Sequence, residues 1–405
     1  MAEALIDVAT ARARVLAEAR PLAPEPVDLV RALGRVLAED VASDLDLPPF
    51  DASAMDGFAT RAGPAEALEI VGESRAGHPA GRELGAGEAI RISTGAVVPA
   101  GAQAVVPVER TRVTGPDGDG EAGERVRVPV RAVGEHVRRA GEDVRAGDAV
   151  MSAGTRLGPA EVAVLAALGR AEVRCGVRPR VAVLVTGDEL VEPSAALGPG
   201  QIRDSNVHAM AAQAERAGAR VVGRALVRDE LEATVSALGE AIELADVVCV
   251  SGGVSVGPHD HVKPALARLG VRERFWGVAL KPGKPTWFGV HGSTLVFGLP
   301  GNPVSAMVTF HLFARIALER LAGVAEAPGV RAVARLDRAV AREPRRDQAV
   351  RCRLEARPDG WHAAPTGPQG SHVLTSMLQA DALALVPAGQ GELAAGEPVE
   401  LELLR

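Results

Sequence analysis

The chain has no tyrosine, and only seven phenylalanines and three tryptophans among 405 residues. So few rings, with a net charge of −7, exclude the basic, ring-lined surface that nucleic acids require. No run approaches the ~18 uninterrupted apolar residues of a membrane span. The first twenty residues alternate apolar with charged side chains and lack the apolar core of a secretory signal, so a cytoplasmic location is expected. Three cysteines, Cys175, Cys249 and Cys352, are too scattered for a disulfide framework or a thiolate metal site. If a soft metal is handled, its sulfur comes from elsewhere. There are two asparagines, Asn206 and Asn302, both in loop motifs, and only three of the 45 basic residues are lysines: Lys263, Lys281 and Lys284. In a chain that uses arginine wherever a cation serves, a retained lysine signals the need for a compact ammonium.

With 47% hydrophobic and 24% charged residues the composition is globular, and the length suggests roughly three domains. The organising stretch is 246–263, D-V-V-C-V-S-G-G-V-S-V-G-P-H-D-H-V-K. A β-branched apolar run predicts a buried strand, the glycine pair Gly252-Gly253 a loop with exposed N–H groups, and 261–269 a helix. Such loops at the carboxyl ends of buried strands bind anions in open α/β sheets.

Helix-spaced apolar positions at 6–19 and 27–42, separated by the proline-rich segment 21–26, predict a helical hairpin. A β-rich texture follows from 46 to 140, and helix signal returns at 158–168. Alternating strands and helices from 180 to 269 predict a parallel, doubly wound sheet. At its strand ends Asp188, Glu189, Asp229 and Asp260 are expected to converge. Lys281-Pro-Gly-Lys284-Pro holds two ammonium groups on a stiff turn, and Gly301-Asn302-Pro303 opens a long apolar helix ending near residue 321. The last part alternates short strands and turns, as a small β-barrel does. The predicted architecture is thus multidomain α/β and β. A helical domain, 1–45 and 141–176, carries an inserted β module, 46–140; an α/β domain, 177–325, and a C-terminal barrel, 326–405, follow.

Eight motifs in order, P-P-F-D-A-S-A-M-D-G-F-A, R-I-S-T-G-A-V-V-P, G-E-D-V, T-G-D-E-L, S-G-G-V-S-V-G, K-P-G-K-P, G-L-P-G-N-P-V-S and Q-G-S-H, resemble the molybdopterin molybdenumtransferases. These are the bacterial MoeA proteins, related to the E domain of gephyrin. The resemblance implies an elongated homodimer that inserts molybdenum from molybdate into adenylyl-molybdopterin and releases AMP, with Mg2+ as the cation. It also implies a molybdopterin adenylyltransferase and molybdoenzyme maturation proteins as partners. Carried over by position, Asp56, Thr94, Asp143, Glu189, Asp229 and Asp260 are the catalytic candidates, with Glu189, Asp229 and Asp260 also as metal ligands. Ser251, Gly252, Gly253, Ser255, Lys281, Lys284, Ser305, Arg351 and Ser371 are the candidates for binding molybdate and pterin. Where the family places an aromatic after the loop aspartate, this chain has His261; His208, His259 and His311 read as packing or surface groups.

The chemistry agrees. A tetrahedral oxyanion wants cations and hydroxyls, and a pyrophosphate wants glycine N–H groups with a hard cation on carboxylates. The pterin dithiolene supplies the soft sulfur that the cysteines cannot. Two other readings, an ATP-consuming adenylyltransferase and a protein-binding scaffold, are separable by turnover of adenylyl-molybdopterin without ATP.

Overall fold

The computed structural model describes residues 5–115, 118–254, 257, 260–325 and 331–404. It divides into two compact units: one takes in residues up to Ala38, Gly154–Gly158 and the chain from Val173 onward, the other Glu39–Ala153 and Pro159–Glu172.

The first unit is built on a six-stranded sheet ordered Arg220–Val227, Arg180–Thr186, Val247–Ser251, Thr294–Leu299, Trp287–His291, Arg272–Trp276. The first four strands pair in parallel, and Trp287–His291 pairs antiparallel with both of its neighbours, Thr294–Leu299 and Arg272–Trp276. The strands between 180 and 269 are parallel, as their alternation with helices predicts, and the later strands add an antiparallel edge that makes the whole sheet mixed. Alternation along each buried strand feeds two cores. Val181, Val183 and Val185 face the helices Asn206–Arg216 and Pro303–Thr309, whereas Ala182 and Leu184 face Leu231–Leu244 and Val262–Arg268. The helix begun at Pro303 continues through a π-helical turn, Phe310–Ala314, into Arg315–Leu321.

Val8–Glu18 is a helix whose N-cap, Asp7, accepts the Thr10 N–H at 2.6 Å. Its buried Val8, Ala11 and Val15 belong to the α/β core. The second half of the expected hairpin is not helical: it forms the strand Glu25–Asp28, a short 3-10 turn at Leu29–Arg31 and the strand Val41–Ala42. The two α-helices of segments 1–45 and 141–176, Val8–Glu18 and Pro159–Ala167, fall in different compact units.

Five strands close a barrel: Arg331–Leu336, Asp347–Arg357, Gly360–Pro365, Ala382–Val386 and Pro398–Leu403. Val350 and Cys352 point into its core, so Arg351 between them points outward. Also outside that core is Glu402, fully buried and paired with both Arg12 and Arg315.

Beside Glu402 lies His311, 6% exposed, its Nε2 4.0 Å from Glu402 Oε2. Burial, then the charges of Arg315, Arg12 and Arg216, pushes its pKa down to about 3. The unfolded imidazole titrates near 6.5, so between these values the unfolded chain binds one proton more and stability falls as pH drops. His311→Gln is expected to remove a slope of about 1.4 kcal/mol per pH unit below pH ~6. Denaturant unfolding at pH 4.5 and 7 reads this; equal slopes in parent and variant would refute it.

In the second unit a six-stranded sheet runs Ala104–Pro107, Gly57–Thr60, Glu88–Ile92, Glu66–Ser74, Arg125–Val128, Arg112–Thr114. Phe58, Ala89 and Val106 face one core, and Ala59, Ile90 and Val105 the other. Helical structure in this unit, among the described residues, is the α-helix Pro159–Ala167 and a 3-10 turn at Val108–Arg110.

Candidate functional site

Parallel strands bring their carboxyl ends to one edge, and there a cavity of about 720 Å3 opens. Thr186, Glu189, Asp204, Asn206, Asp229, the loop Ser251, Gly252 and Gly253, Asp260, Asn302 and His372 are among its lining residues. Gly252 and Gly253 have φ of 95° and 58°. A Cβ on Gly252 would lie 2.5 Å from the Thr186 carbonyl oxygen, and one on Gly253 2.9 Å from the Val262 side chain, so the loop requires glycine. The expected row of free loop N–H groups is corrected at Gly252, which donates to Leu299 O at 3.1 Å. Ser251 is fully buried and its hydroxyl is used within the protein, accepting from Asn206 Nδ2 and donating to Pro300 O, both at 2.9 Å. It shapes the loop. Ser255 and His259 lie outside the described residues.

Glu189, Asp229 and Asp260 line the same cavity. Asp188 and Asp229 cap each other, each carboxylate accepting the other's backbone N–H at 3.2–3.3 Å, and Asp260 Oδ2 accepts the Gly257 N–H at 2.7 Å. Among the described residues no three acidic, histidine or cysteine groups gather as a ligand set, so the expected metal triad is not assembled by protein groups alone. Sequence reasoning gave Asp204, Asn206 and Thr186 no part in the site. Asp204 and Asn206 are each 6% exposed, and the scarcity of asparagine was the available signal for Asn206.

The lysine turn and the Q-G-S-H loop reach the cavity wall through Pro285 and His372. Lys281 is ion-paired with Glu343, whose carboxyl is held below its ordinary pKa by Lys281 and then Arg346. Lys284 is exposed, and its side chain makes no ion pair among the described residues. Ser305 is buried on the first turn of its helix, and the neighbouring Val304 N–H donates to Ser371 O at 3.1 Å, docking the loop there.

Arg351 is 0% exposed. Its Nε donates to Ser376 Oγ at 3.1 Å and Nη2 to the carbonyls of Pro368 and Gly370 at 3.3 and 3.2 Å, while Nη1 has no partner. Burial lowers its pKa, and no carboxylate faces it among the described residues. A buried cation with one idle arm and no counter-charge is suited to an anion.

In the second unit Asp56 Oδ1 accepts the Thr94 N–H at 2.8 Å, and Ser53 exchanges backbone bonds with Gly95 and Ala96. The two motifs are thus one interlocked structure. Gly57 is obligatory there, since a Cβ would sit 1.9 Å from Val106 O. Asp143 is exposed, with its N–H bonded to Leu47 O at 3.0 Å.

Three family models match: the MoeA N-terminal region, domains I and II, at residues 6–169; a probable molybdopterin binding domain at 182–320; and the MoeA C-terminal region, domain IV, at 333–404. The molybdopterin molybdenumtransferase of Haemophilus influenzae is 35% identical over 390 residues, 94% of each chain. Molybdopterin molybdenumtransferase 2 of Mycobacterium tuberculosis is 38% identical over 407 residues, 96% of this chain and 97% of that one. A crystal structure of the molybdopterin biosynthesis MoeA protein from Pyrococcus horikoshii matches with a TM-score of 0.81 and 30% identity, covering 99% of this chain and all of that one. With the motifs, the fold and near-complete coverage in agreement, the chain belongs to the MoeA family of molybdopterin molybdenumtransferases.

Proposed function

We propose that the chain inserts molybdenum from molybdate into adenylyl-molybdopterin, forming molybdenum cofactor and releasing AMP. The observation that carries this reading is one cavity, bounded by a glycine loop and carboxylates, whose wall includes both the lysine turn and the Q-G-S-H loop. In this reading the crevice around Gly252, Gly253 and Asp260 holds the nucleotide and its phosphates. Lys281, Lys284, Ser305, Arg351 and Ser371 surround the molybdate, offering cations and hydroxyls to a tetrahedral oxyanion.

Mg2+ fits the donor set in one way only. It binds typically through one or two carboxylates plus substrate phosphates rather than in an all-protein cage, and separate, unclustered carboxylates lining one cavity match that habit. One or two of Glu189, Asp229 and Asp260, together with the substrate's phosphates, would hold the ion, which would screen phosphate charge.

The same reading takes the chain to be a cytoplasmic homodimer; no described helix is long and apolar enough to cross a membrane. The catalytic candidates Asp56, Thr94 and Asp143 lie far in sequence from the crevice residues, and a site shared between protomers would reunite them. A molybdopterin adenylyltransferase would supply the substrate, and molybdoenzyme maturation proteins would receive the product.

One assay tests both parts. Purified protein with adenylyl-molybdopterin, molybdate and Mg2+ is expected to yield AMP and cofactor without ATP; a strict ATP requirement would overturn the reading. Inactive Asp56→Ala and inactive Asp260→Ala proteins, mixed to form verified heterodimers, are expected to regain part of the activity. No recovery would assign both residues to one protomer's site.

A further inference from the structure

The chain keeps two asparagines, and one of them has an unusual set of partners. Asn206 heads the helix Asn206–Arg216 and is 6% exposed. Its Nδ2 donates to Ser251 Oγ at 2.9 Å and to Gly301 O at 2.7 Å, so both amide hydrogens are used. Its own N–H is fixed by Asp204 Oδ1 at 2.8 Å, which also accepts the Val207 N–H at 3.2 Å. Ser251 extends the link by donating to Pro300 O at 2.9 Å. One carboxamide therefore ties together three chain segments that line the crevice: the helix start, the glycine loop and the turn at Pro300-Gly301.

We infer that Asn206 is a positioning residue for nucleotide binding, holding the Ser251-Gly252-Gly253 loop and the Pro300-Gly301 turn in fixed register around the ligand's phosphate. This rests on the reading of the crevice as the nucleotide pocket. The chemistry explains why asparagine is kept here in a chain that otherwise avoids it. The position needs one short group that donates twice from a single nitrogen, to a hydroxyl and to a carbonyl. Aspartate has the same size but turns only acceptors toward Gly301 O, which is itself an acceptor. Serine has one donor.

AMP with Mg2+ is the probe, its binding measured by calorimetry on the full chain alongside the thermal midpoint. Asn206→Ala and Ser251→Ala are each expected to weaken AMP binding about tenfold; each removes two buried hydrogen bonds, of which the one from Asn206 Nδ2 to Ser251 Oγ is common to both. The double variant is expected to lose less than the sum of the two single losses, because the Asn206–Ser251 bond is common to both. Asn206→Asp is expected to be at least as weak as Asn206→Ala. A purely structural role would lower the midpoint yet leave the AMP affinity of the folded protein unchanged, and that result overturns the inference. Should Asn206→Ala fail to fold, Ser251→Ala carries the same test from the other end of the link. If the parent protein itself binds no AMP, the reading of the crevice fails instead. Amide exchange at Gly252 and Gly253 then decides the positioning claim: acceleration in Ser251→Ala supports it and unchanged rates refute it.

Discussion

Replacing Arg351 by methionine is expected to raise the molybdate concentration for half-maximal insertion by about 10- to 100-fold, the loss of one charge-assisted hydrogen bond. Fold stability should change much less, because two opposing effects meet at this residue. The guanidinium is fully buried without a facing carboxylate, and an isolated buried charge costs several kcal/mol even after relaxation. Against this stand its three donations, to Ser376 Oγ and to the carbonyls of Pro368 and Gly370. Methionine removes both the burden and the bonds, so the thermal midpoint is expected to move by a few degrees at most. An arriving oxyanion changes the balance, since it supplies the missing counter-charge and a partner for Nη1. The ligand side, not the apo fold, therefore carries the loss. Molybdate titration of insertion, with AMP binding as the control, reads it. An unchanged molybdate requirement, or equal weakening of AMP binding, would show that Arg351 serves the loop and not the anion.

The sequence revealed most where a single local rule decided the outcome. The strand at Val247–Ser251, the glycine turn and the helix Val262–Arg268 follow from an apolar run, a glycine pair and helix spacing. Residues 27–42 show the limit of that reasoning. Their apolar spacing suits a helix, yet Val36 and Leu37 form bridges with Arg156 and Cys175, so tertiary pairing overrides a pattern of moderate strength. The antiparallel sheet edge is legible in the sequence. Only Gly292 and Ser293 separate the paired residues His291 and Thr294, and a two-residue loop can join antiparallel strands but never parallel ones. The site divides in a similar way. Motifs pointed to Glu189, Asp229, Asp260 and the Ser251-Gly252-Gly253 loop, which line the cavity, but not to Thr186, Asp204 or Asn206; that Ser251 is spent on the protein, or that Lys281 already has Glu343, depends on partners some 50 to 60 residues away.

The partner of Lys281 also separates the two lysines, and Lys284→Arg is expected to have the larger effect. The turn that carries them is held firmly: Val278 N donates to Lys284 O at 3.0 Å, and Thr286 Oγ1 to Gly283 O at 2.7 Å. Gly283 has φ 128°, and a Cβ there would lie 2.5 Å from the Thr309 side chain, which fixes the turn against the helix that bears Ser305. Substitution of either lysine therefore alters the head group on a rigid base. At position 284 the ammonium has no ion-pair partner among the described residues and is free to meet a tetrahedral oxyanion as a compact point charge. Guanidinium keeps the charge but is larger, and its planar fork dictates where the donors lie. Lys284→Arg should thus raise the molybdate requirement by roughly one to two orders of magnitude, the worth of one misplaced charged hydrogen bond. Lys281→Arg should do less, since arginine can retain the ion pair with Glu343 and the ammonium it replaces is already shared. Both variants are expected to keep the parent's thermal midpoint. A midpoint collapse would make the lysines structural, and unchanged molybdate affinity in Lys284→Arg would show that charge alone suffices at this turn.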